Sequence, residues 1–380
     1  MQLSLFKPSR GVPCFIQSVL GAGATLAVSV SGGKDSDAML RYLVSTHSAE
    51  NWTGELFSLF CDLGRIEWPG VSEHLHKVCA ELDVSLTKLY PKRSMIDEWQ
   101  HRYETILSKQ QEKPFWSSST ARYCTKHEKT QPADKLLRGY QFVVCAVGLR
   151  AEESSARAKK PRYQVRNDIA SVWYKTPQSC KSAEAKERWA EQAHQNWLDT
   201  GRKGRFALSW PPIHDWSLAE VWQQNGTSCE DIERRSARYQ SGEVRQALQG
   251  FPCHWAYVAS NSRLSCSLCV LASSHDILNG AQHNLRTWIE LALMEVTSGW
   301  SFQQGRWLLS LASGNVALSL AKEKRLRKVL CDLQLVRPVN PAFFLSLIRL
   351  CKLAQLAFWT EEAIVAIAYQ LRICSLPEQG

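Results

Sequence analysis

Residues 25–36 read TLAVSVSGGKDS, an apolar run that ends in two glycines, a lysine, an aspartate and a serine. Residues 25–30 have the composition of a buried β-strand, and residues 37–45 have that of a helix. Gly32 and Gly33 allow a tight turn between them, because glycine adopts backbone conformations that other residues avoid. The stretch therefore predicts a strand, a glycine turn and a helix in immediate succession.

Strand-like and helical segments continue to alternate along the first half of the chain. This alternation is typical of a parallel sheet with helices on both faces, so we predict a Rossmann-like α/β fold. Ligands of such sheets bind beyond the carboxyl ends of the strands, where the glycine turn also falls. The further predicted strands are residues 56–61, 84–90 and 142–147, and the further predicted helices are residues 73–82 and 95–109.

The length of 380 residues exceeds the ~250–300 residues at which single cores stop growing, so we predict two domains. We assign residues 1–250 to the α/β domain and residues 251–380 to a helical C-terminal domain with a cysteine motif. Apolar residues recur there at helical spacing, at Leu285, Trp288, Ile289, Ala292, Phe344, Leu347, Ile348 and Cys351, and Thr360 is a plausible cap of the last helix.

Composition and charge narrow the class of protein. The chain is 44% hydrophobic and 22% charged, as in folded soluble proteins. Its longest uncharged stretch, residues 11–33, contains proline, glutamine and glycine and lacks the features of a secretory signal. We therefore expect a cytoplasmic protein that does not enter the membrane.

The segment of residues 158–206 interrupts the strand and helix rhythm and is predicted to be a basic insertion or flap, with a charged helix at residues 181–196. From Arg157 to Arg205, twelve Lys and Arg face five Asp and Glu, a net charge of +7. An anionic partner such as DNA, bound by phosphate contact and stacking, is one interpretation, and a solvated surface is the other. The aromatic residues among these charges are Tyr163, Trp173, Tyr174, Trp189 and Trp197.

The glycine turn has the parts of an anion site. Backbone N–H groups at Gly32 and Gly33, together with the N-terminus of the following helix, attract phosphate oxygens. Ser31 and Ser36 offer hydroxyls, and Lys34 offers a positive charge. The alternative is a strand-to-helix turn that uses its glycines for conformation alone.

Residues 31–36, SGGKDS, resemble the SGGxDS signature of the adenine-nucleotide α-hydrolases, or PP-loop enzymes. The resemblance implies a HUP-type fold, cleavage of ATP between the α- and β-phosphates, and a role for Asp35 in positioning Mg²⁺ and pyrophosphate. Lys34, Asp35 and Ser36 are then catalytic candidates.

Three further segments resemble the phosphoadenylyl-sulfate reductase branch of that superfamily. In chain order they are residues 122–125 with Lys129, residues 148–154 with Arg157, and residues 212–216 with Val221 and Trp222. The resemblance implies that Gly148 and Arg157 bind the nucleotide and that Arg150 and Glu153 are catalytic, with Glu153 orienting one of the arginines or a metal. Guanidinium groups suit phosphate oxygens. The alternative is that these arginines pair with Glu152 and Glu153 in a structural network.

Residues 60–69, FCDLGRIEWP, resemble the DndC and SspD proteins of DNA phosphorothioation, in which sulfur replaces a non-bridging phosphate oxygen. This resemblance implies DNA as substrate, a cysteine desulfurase as sulfur donor and other phosphorothioation subunits as partners. Asp62 and Gly64 follow the second predicted strand, where Asp62 either meets nucleotide or caps the turn at Glu67 and Trp68.

Thirteen cysteines in a chain of this kind are more often core residues, metal ligands or catalytic groups than disulfides. Cys266 and Cys269 form a C-x₂-C pair, and Cys124 and Cys253 can complete four ligands for a [4Fe–4S] cluster or for zinc. The resemblance favours the cluster. Cys229 is an available substitute for Cys253, and reduced core cysteines or a dithiol redox pair are the alternatives.

The sequence therefore favours an ATP pyrophosphatase that activates a nucleic-acid phosphate for sulfur incorporation. The alternative is a reductase of phosphoadenylyl or adenylyl sulfate. Such reductases use a cysteine in a Glu-Cys-Gly type tail, and residues 372–377, RICSLP, lack that pattern. A third possibility is a nucleotide-binding regulatory subunit without turnover.

Overall fold

A computed structural model describes residues 11–298, 300–306 and 308 of the chain. The described residues of Met1–Asp62, Gly70–Pro91 and Lys126–Leu264 form a sheet unit, and those of Leu63–Pro69, Lys92–Thr125 and Ser265–Gly380 form a helical unit. The two units interleave along the chain, because the segments after the second and third strands belong to the helical unit. The predicted division was a single boundary after residue 250.

One six-stranded sheet forms the centre of the sheet unit. Its strands are β1 (Thr25–Ser29), β2 (Leu56–Cys61), β3 (Leu86–Leu89), β4 (Phe142–Val147), β5 (Gln164–Val165) and β6 (Phe206–Trp210). They lie in the order β3-β2-β1-β4-β6-β5. All neighbours are parallel except β5, which pairs antiparallel with β6. The predicted Rossmann-like parallel sheet is confirmed.

The observed helices differ from the predicted ones by a few residues at several ends. The helix predicted at residues 37–45 begins earlier, directly at the glycine turn. In chain order the helices are α1 (Cys14–Gly21), α2 (Lys34–Ala49), α3 (Val71–Glu81), α4 (Met95–Ser108), α5 (Tyr123–Thr125), α6 (Gln131–Leu137), α7 (Ser155–Ala158), α8 (Ala183–Asp199), α9 (Leu218–Gln224), α10 (Cys229–Gln240), α11 (Val244–Leu248), α12 (Ser274–His283) and α13 (Leu285–Ser298).

Residues 158–206, predicted as an insertion or flap, contribute to the core of the sheet unit. They supply β5 and α8, and they lead into β6, which the sequence prediction had not identified. Trp197 of α8 is fully buried and packs on Phe142 of β4, with ring centroids 4.6 Å apart. Phe142 and Phe206 are the first residues of β4 and β6, so this packing covers the amino ends of these strands.

The helical unit has its own apolar cluster, which includes residues of α4, α12 and α13. Its centre is a group of mutually edge-on rings, Trp99, Trp116 and Phe302. The helices predicted around residues 344–351 and after Thr360 lie outside the described residues. In the part of the chain that the structure describes, no helix has both the length and the apolar character needed to cross a membrane.

Candidate functional site

The glycine turn after β1 closes around the side chain of Ser36. Gly32 has φ +72°, a left-handed conformation that favours glycine. The Ser36 hydroxyl donates to the carbonyl of Gly33 at 2.8 Å, and its oxygen accepts the N–H of Ser31 at 3.2 Å. These bonds hold residues 31–36 in one loop at the carboxyl edge of the sheet, which brings together the predicted residues Ser31, Gly32, Gly33 and Ser36.

Backbone amides of this loop are available to a ligand. Within the described ranges, the N–H groups of Gly32, Gly33, Asp35 and Ser36 have no hydrogen-bond acceptor. They lie at the N-terminus of the 16-residue helix α2, where the helix dipole is positive. Four unpaired donors in this field form a site for an anion such as a diphosphate.

Three charged side chains lie beside the loop. Asp35 accepts from the Lys34 ammonium at 2.8 Å through Oδ2 and from the Arg150 guanidinium at 2.6 Å through Oδ1. Burial raises the pKa of Asp35, but the two cations outweigh it, so the pKa lies below its ordinary 3.8. Arg150 also pairs with Glu152 at 2.7 Å, so these side chains are balanced in charge, and it is the positive end of helix α2 that favours an anionic ligand.

The same contacts bear on the magnesium role predicted for Asp35. Both of its carboxylate oxygens are already hydrogen-bonded to cationic side chains. As arranged, Asp35 anchors Lys34 and Arg150, and a metal ion would have to displace one of them. Asp35 therefore does not fit a magnesium ligand in this arrangement.

Gly148 places the end of β4 against the loop. A Cβ atom at this position would lie 3.3 Å from the amide nitrogen of Ser36. Beyond Gly148, Glu153 accepts the N–H of Arg150 at 3.1 Å and pairs with the guanidinium of Arg157. A structural network of arginines and glutamates is the alternative to nucleotide binding that the sequence leaves open, and this pairing is present. Arg150 also bonds Asp35 of the loop.

Residues 148–154 and residues 212–216, two of the segments identified in the sequence analysis, are joined by hydrogen bonds. The N–H of Ala151 donates to the carbonyl of His214 at 2.7 Å, and the His214 ring lies 3.1 Å from the carbonyl of Arg157. The N–H of Leu218 donates to Glu152 at 3.0 Å. Residues 212–216 therefore support the segment that carries Arg150.

Several residues around the loop were not identified from the sequence. The buried Tyr257 hydroxyl accepts the N–H of Lys34 at 2.9 Å, and Asn225 donates to the Lys34 carbonyl at 2.8 Å. Asp37 pairs with His74 at 2.6 Å. Only Asp37 had a sequence signal, since it directly follows the loop, whereas the other three come from distant segments.

A cavity of about 220 Å³ adjoins the loop and shares Ser31 with it. It is lined by residues at the carboxyl ends of β1, β2 and β4, including Cys61 and Val147. Arg166 also lines it and is held by Asp134 at 2.7 Å. The cavity has the position that Rossmann-like sheets use for the nucleoside part of a ligand.

Asp62, predicted to meet nucleotide, is not among the residues that line this cavity. Its carboxylate pairs with the ammonium of Lys88 at 3.2 Å. The role of Asp62 and that of Gly64 remain predictions.

The four predicted metal ligands divide between the two units. Cys253 belongs to the sheet unit, whereas Cys124, Cys266 and Cys269 belong to the helical unit. Cys253 is buried in an apolar cluster with Phe251, and burial raises the pKa of its thiol. In this structure Cys253 packs as a core residue, and its role as a metal ligand remains a prediction.

The remaining three cysteines share a unit, and Cys124 and Cys266 pack against its apolar cluster. Across residues 11–298, 300–306 and 308, no group of three or more His, Cys, Asp or Glu side chains is arranged to hold a metal ion. As arranged, the described residues do not fit a [4Fe–4S] cluster or zinc, and such a centre remains a prediction from the sequence.

Comparisons with known proteins agree with the fold. A family model described as the phosphoadenosine phosphosulfate reductase domain matches residues 25–233. That range includes the loop, Gly148, Arg150, Glu153 and Arg157. No curated protein sequence matches the chain.

Two solved structures are similar at low sequence identity. Phosphoadenylyl-sulfate (PAPS) reductase from Candida auris, in a phosphate complex, is 16% identical with a TM-score of 0.30, over 55% of this chain and 77% of that one. The U34-tRNA thiolase NcsA from Methanococcus maripaludis, with its [4Fe-4S] cluster, is 10% identical with a TM-score of 0.34, over 85% of this chain and 76% of that one. At these TM-scores neither structure informs the chemistry of this chain.

Proposed function

Because this chain belongs to the phosphoadenosine phosphosulfate reductase domain family, we propose that it is a PP-loop enzyme that cleaves ATP between the α- and β-phosphates. The energy of this cleavage activates a nucleic-acid phosphate for sulfur incorporation. DNA is the proposed acceptor, and a cysteine desulfurase is the proposed sulfur donor, acting with other phosphorothioation subunits.

The observation that carries the proposal is the set of unpaired amides at Gly32, Gly33, Asp35 and Ser36 next to a nucleoside-sized cavity. The β- and γ-phosphates of ATP would bind the amides, and adenosine would occupy the cavity that shares Ser31. This orientation places the bond between the α- and β-phosphates between the loop and the cavity.

Adenylation explains why ATP is needed. A phosphate oxygen of the acceptor attacks the α-phosphorus, the bond to the β-phosphate breaks, and pyrophosphate leaves. The acceptor oxygen is then part of a good leaving group, AMP, which sulfur can displace. The amides of the loop stabilise the pyrophosphate as its negative charge develops, and such preorganised donors are a large source of rate enhancement.

The side chains near the loop have positioning roles. Asp35 holds Lys34 and Arg150 beside the loop, where they would meet the phosphates, while Glu153 accepts the Arg150 N–H and pairs with Arg157. Mg²⁺ bound to the nucleotide would supply further charge neutralisation. No step is assigned to a metal–sulfur centre, because the described residues do not fit one.

A reductase acting on phosphoadenylyl or adenylyl sulfate is the second candidate, favoured by the family description itself. It would use the same loop and cavity for a nucleotide that already carries sulfur. The two candidates differ in products: the first releases pyrophosphate from ATP, and the second releases sulfite from a sulfonucleotide. Nucleotide binding without either product would indicate a regulatory subunit.

The test is to incubate the protein with ATP, Mg²⁺ and DNA as the phosphate acceptor and to measure pyrophosphate, orthophosphate and ADP. Ser36→Ala should strongly lower pyrophosphate release, because the bonds of the Ser36 hydroxyl to Gly33 and Ser31 hold the loop whose amides would bind the phosphates. The matched control is Ser45→Ala in the same helix, since the Ser45 hydroxyl bonds only the carbonyl of Tyr42, at 3.0 Å.

Circular dichroism and thermal unfolding of both variants separate loss of the loop from loss of the fold. Release of ADP and orthophosphate would contradict α–β cleavage. Equal pyrophosphate release by the two variants would contradict the role of the loop.

A further inference from the structure

A second cavity, of about 330 Å³, lies in the sheet unit at the edge opposite the glycine loop. Arg138 and Arg205, which line it, come shortly before β4 and directly before β6, so the cavity is at the amino ends of these strands. Trp173 and Lys175 also line it. Together with Lys203, these residues are here called the amino-edge patch.

The cations of the amino-edge patch are oriented but not neutralised. Arg138 donates through Nε and Nη2 to the carbonyl of Asp168 at 3.0 and 2.8 Å, and Arg205 donates through Nε to the carbonyl of Ile169 at 3.2 Å. In the described part of the chain, none of Arg138, Lys175, Lys203 and Arg205 forms an ion pair. Three lining cations face one lining carboxylate, that of Asp168.

Trp173 presents an exposed ring among these charges. Its exposed fraction is 63%, whereas Tyr163, Tyr174 and Trp197 of the same basic segment are buried. Leaving a large ring in water forgoes the stabilisation that burial would give it. Trp189, the fifth of the aromatic residues predicted to stack with DNA, is half-buried and donates to the Tyr174 carbonyl, so Trp173 has the most exposed ring of the five.

The exposed ring is held in place by its surroundings. The N–H of Ser171 donates to the carbonyl of Arg205 at 3.0 Å, and the Ser171 hydroxyl accepts the N–H of Arg205 at 3.0 Å. Lys203 lies 5.9 Å from the centroid of the Trp173 ring. At Gly204 a Cβ atom would lie 2.7 Å from the Ser171 hydroxyl, so glycine permits this close approach.

We propose that the amino-edge patch binds a single strand of nucleic acid, with one base stacked on Trp173 and the neighbouring phosphates on Arg138, Lys175 and Arg205. The inference deepens the proposed function and rests on it for the role of the strand as acceptor. Stacking on an aromatic ring and phosphate contact to basic side chains are the two elements of single-strand binding sites.

The exposed ring favours nucleic acid over an acidic peptide. Carboxylates of a peptide would use the cations alone, whereas a nucleic acid uses the ring and the cations in alternation, as bases and phosphates alternate along a strand. The patch and the loop are separated by the length of a five-residue strand, roughly 16 Å. The patch therefore holds a flanking part of the strand and does not touch the reacting phosphate.

The test measures binding of the full chain, without ATP, to a labelled oligothymidylate of about 12 nucleotides, within the usual site size of single-strand grooves. Fluorescence anisotropy is recorded over a range of salt concentrations. Trp173→Leu removes the ring and keeps an apolar side chain, Trp173→Phe keeps a ring, and Lys175→Ala removes one charge. Lys109→Ala, an exposed lysine of the helical unit, is the control for charge.

We expect Trp173→Leu to weaken binding by roughly 5- to 150-fold, the range for loss of one stacked base, and Trp173→Phe to restore most of it. Lys175→Ala should reduce the slope of log affinity against log salt by about 0.7, the value for one phosphate contact with a single strand. Lys109→Ala should change neither quantity. An oligouridylate of equal length in parallel tells whether the patch prefers DNA or RNA.

Equal binding by Trp173→Leu and the unmodified chain, or no oligonucleotide binding at all, would overturn the inference. So would stronger competition by polyglutamate or polyphosphate than by unlabelled oligonucleotide, because neither competitor carries bases. Pyrophosphate release from ATP is measured separately. Binding that depends on Trp173, together with release of ADP, would support this inference and contradict α–β cleavage. Release of pyrophosphate without binding through Trp173 would support α–β cleavage and contradict this inference.

Discussion

Gly32→Ala is the substitution that tests the geometry of the loop most directly. Gly32 has φ +72°, and an added Cβ would lie 3.2 Å from the Cγ1 atom of Val71. The left-handed conformation costs about 1–2 kcal/mol for an L residue. The close contact adds overpacking of about 1–3 kcal/mol. We therefore expect the free energy of unfolding to fall by about 2–5 kcal/mol.

Gly250→Ala is the matched control, because Gly250 has φ +67° and a Cβ there would meet nothing within 4 Å. It should lower the free energy of unfolding only by the contribution of the left-handed backbone conformation, about 1–2 kcal/mol. Urea unfolding measures both variants, and calorimetric titration with ATP measures affinity at a temperature where both remain folded.

Gly32→Ala should weaken ATP binding by about tenfold or more, since one hydrogen bond to a charged group contributes about 1.5–3 kcal/mol. Gly250→Ala should not weaken it. If both variants lost the same stability and bound ATP like the unmodified chain, the assignment of phosphate to this turn would be wrong.

Tyr257→Phe should lower the free energy of unfolding by about 1–3 kcal/mol, because the buried N–H of Lys34 loses its acceptor; unchanged urea unfolding would contradict this. Burial lowers the pKa of His194 below its ordinary 6.5, so the unfolded chain takes up the proton more readily and stability should fall as pH drops below about 6.5. His194→Phe should make this pH dependence shallower, and an identical slope would refute the assignment. If a metal centre forms at the predicted cysteines, Cys266→Ala should lower the iron or zinc content of anaerobically purified protein, whereas Cys253→Ala should leave it unchanged because that thiol is buried in an apolar cluster; loss of metal with Cys253→Ala would show that Cys253 is a ligand.

The sequence predicted the part of the site that is local in the chain. Strand, glycine turn and helix follow one another within residues 25–49, so their order and spacing alone indicate an anion site. The resemblance of residues 148–154 to a known family placed Gly148 and Arg150 at the same edge of the sheet, and the structure shows Arg150 bonded to Asp35. The sequence also left open whether Arg150 and Arg157 pair with glutamates. In the structure Arg150 pairs with Glu152, and Arg157 pairs with Glu153.

Other parts depended on contacts between distant segments. Tyr257 reaches the amide of Lys34 across 223 positions, and no local pattern marks it. The strand β6 lies beside β4 because the long segment between them packs Trp197 under the sheet. The same packing buries Tyr163 and Tyr174 and leaves Trp173 exposed, a distinction that composition could not make.

The amino-acid sequence by itself therefore determined the fold class and the position of the glycine turn, because both follow from the conformations that neighbouring residues permit. Only the tertiary structure decided which side chains surround the turn, that Cys253 is buried in an apolar cluster, and which aromatic ring of the basic segment is most exposed. The physical reason is that burial and long-range hydrogen bonds depend on how distant segments pack. The apolar periodicity of one segment does not indicate which other segment packs against it.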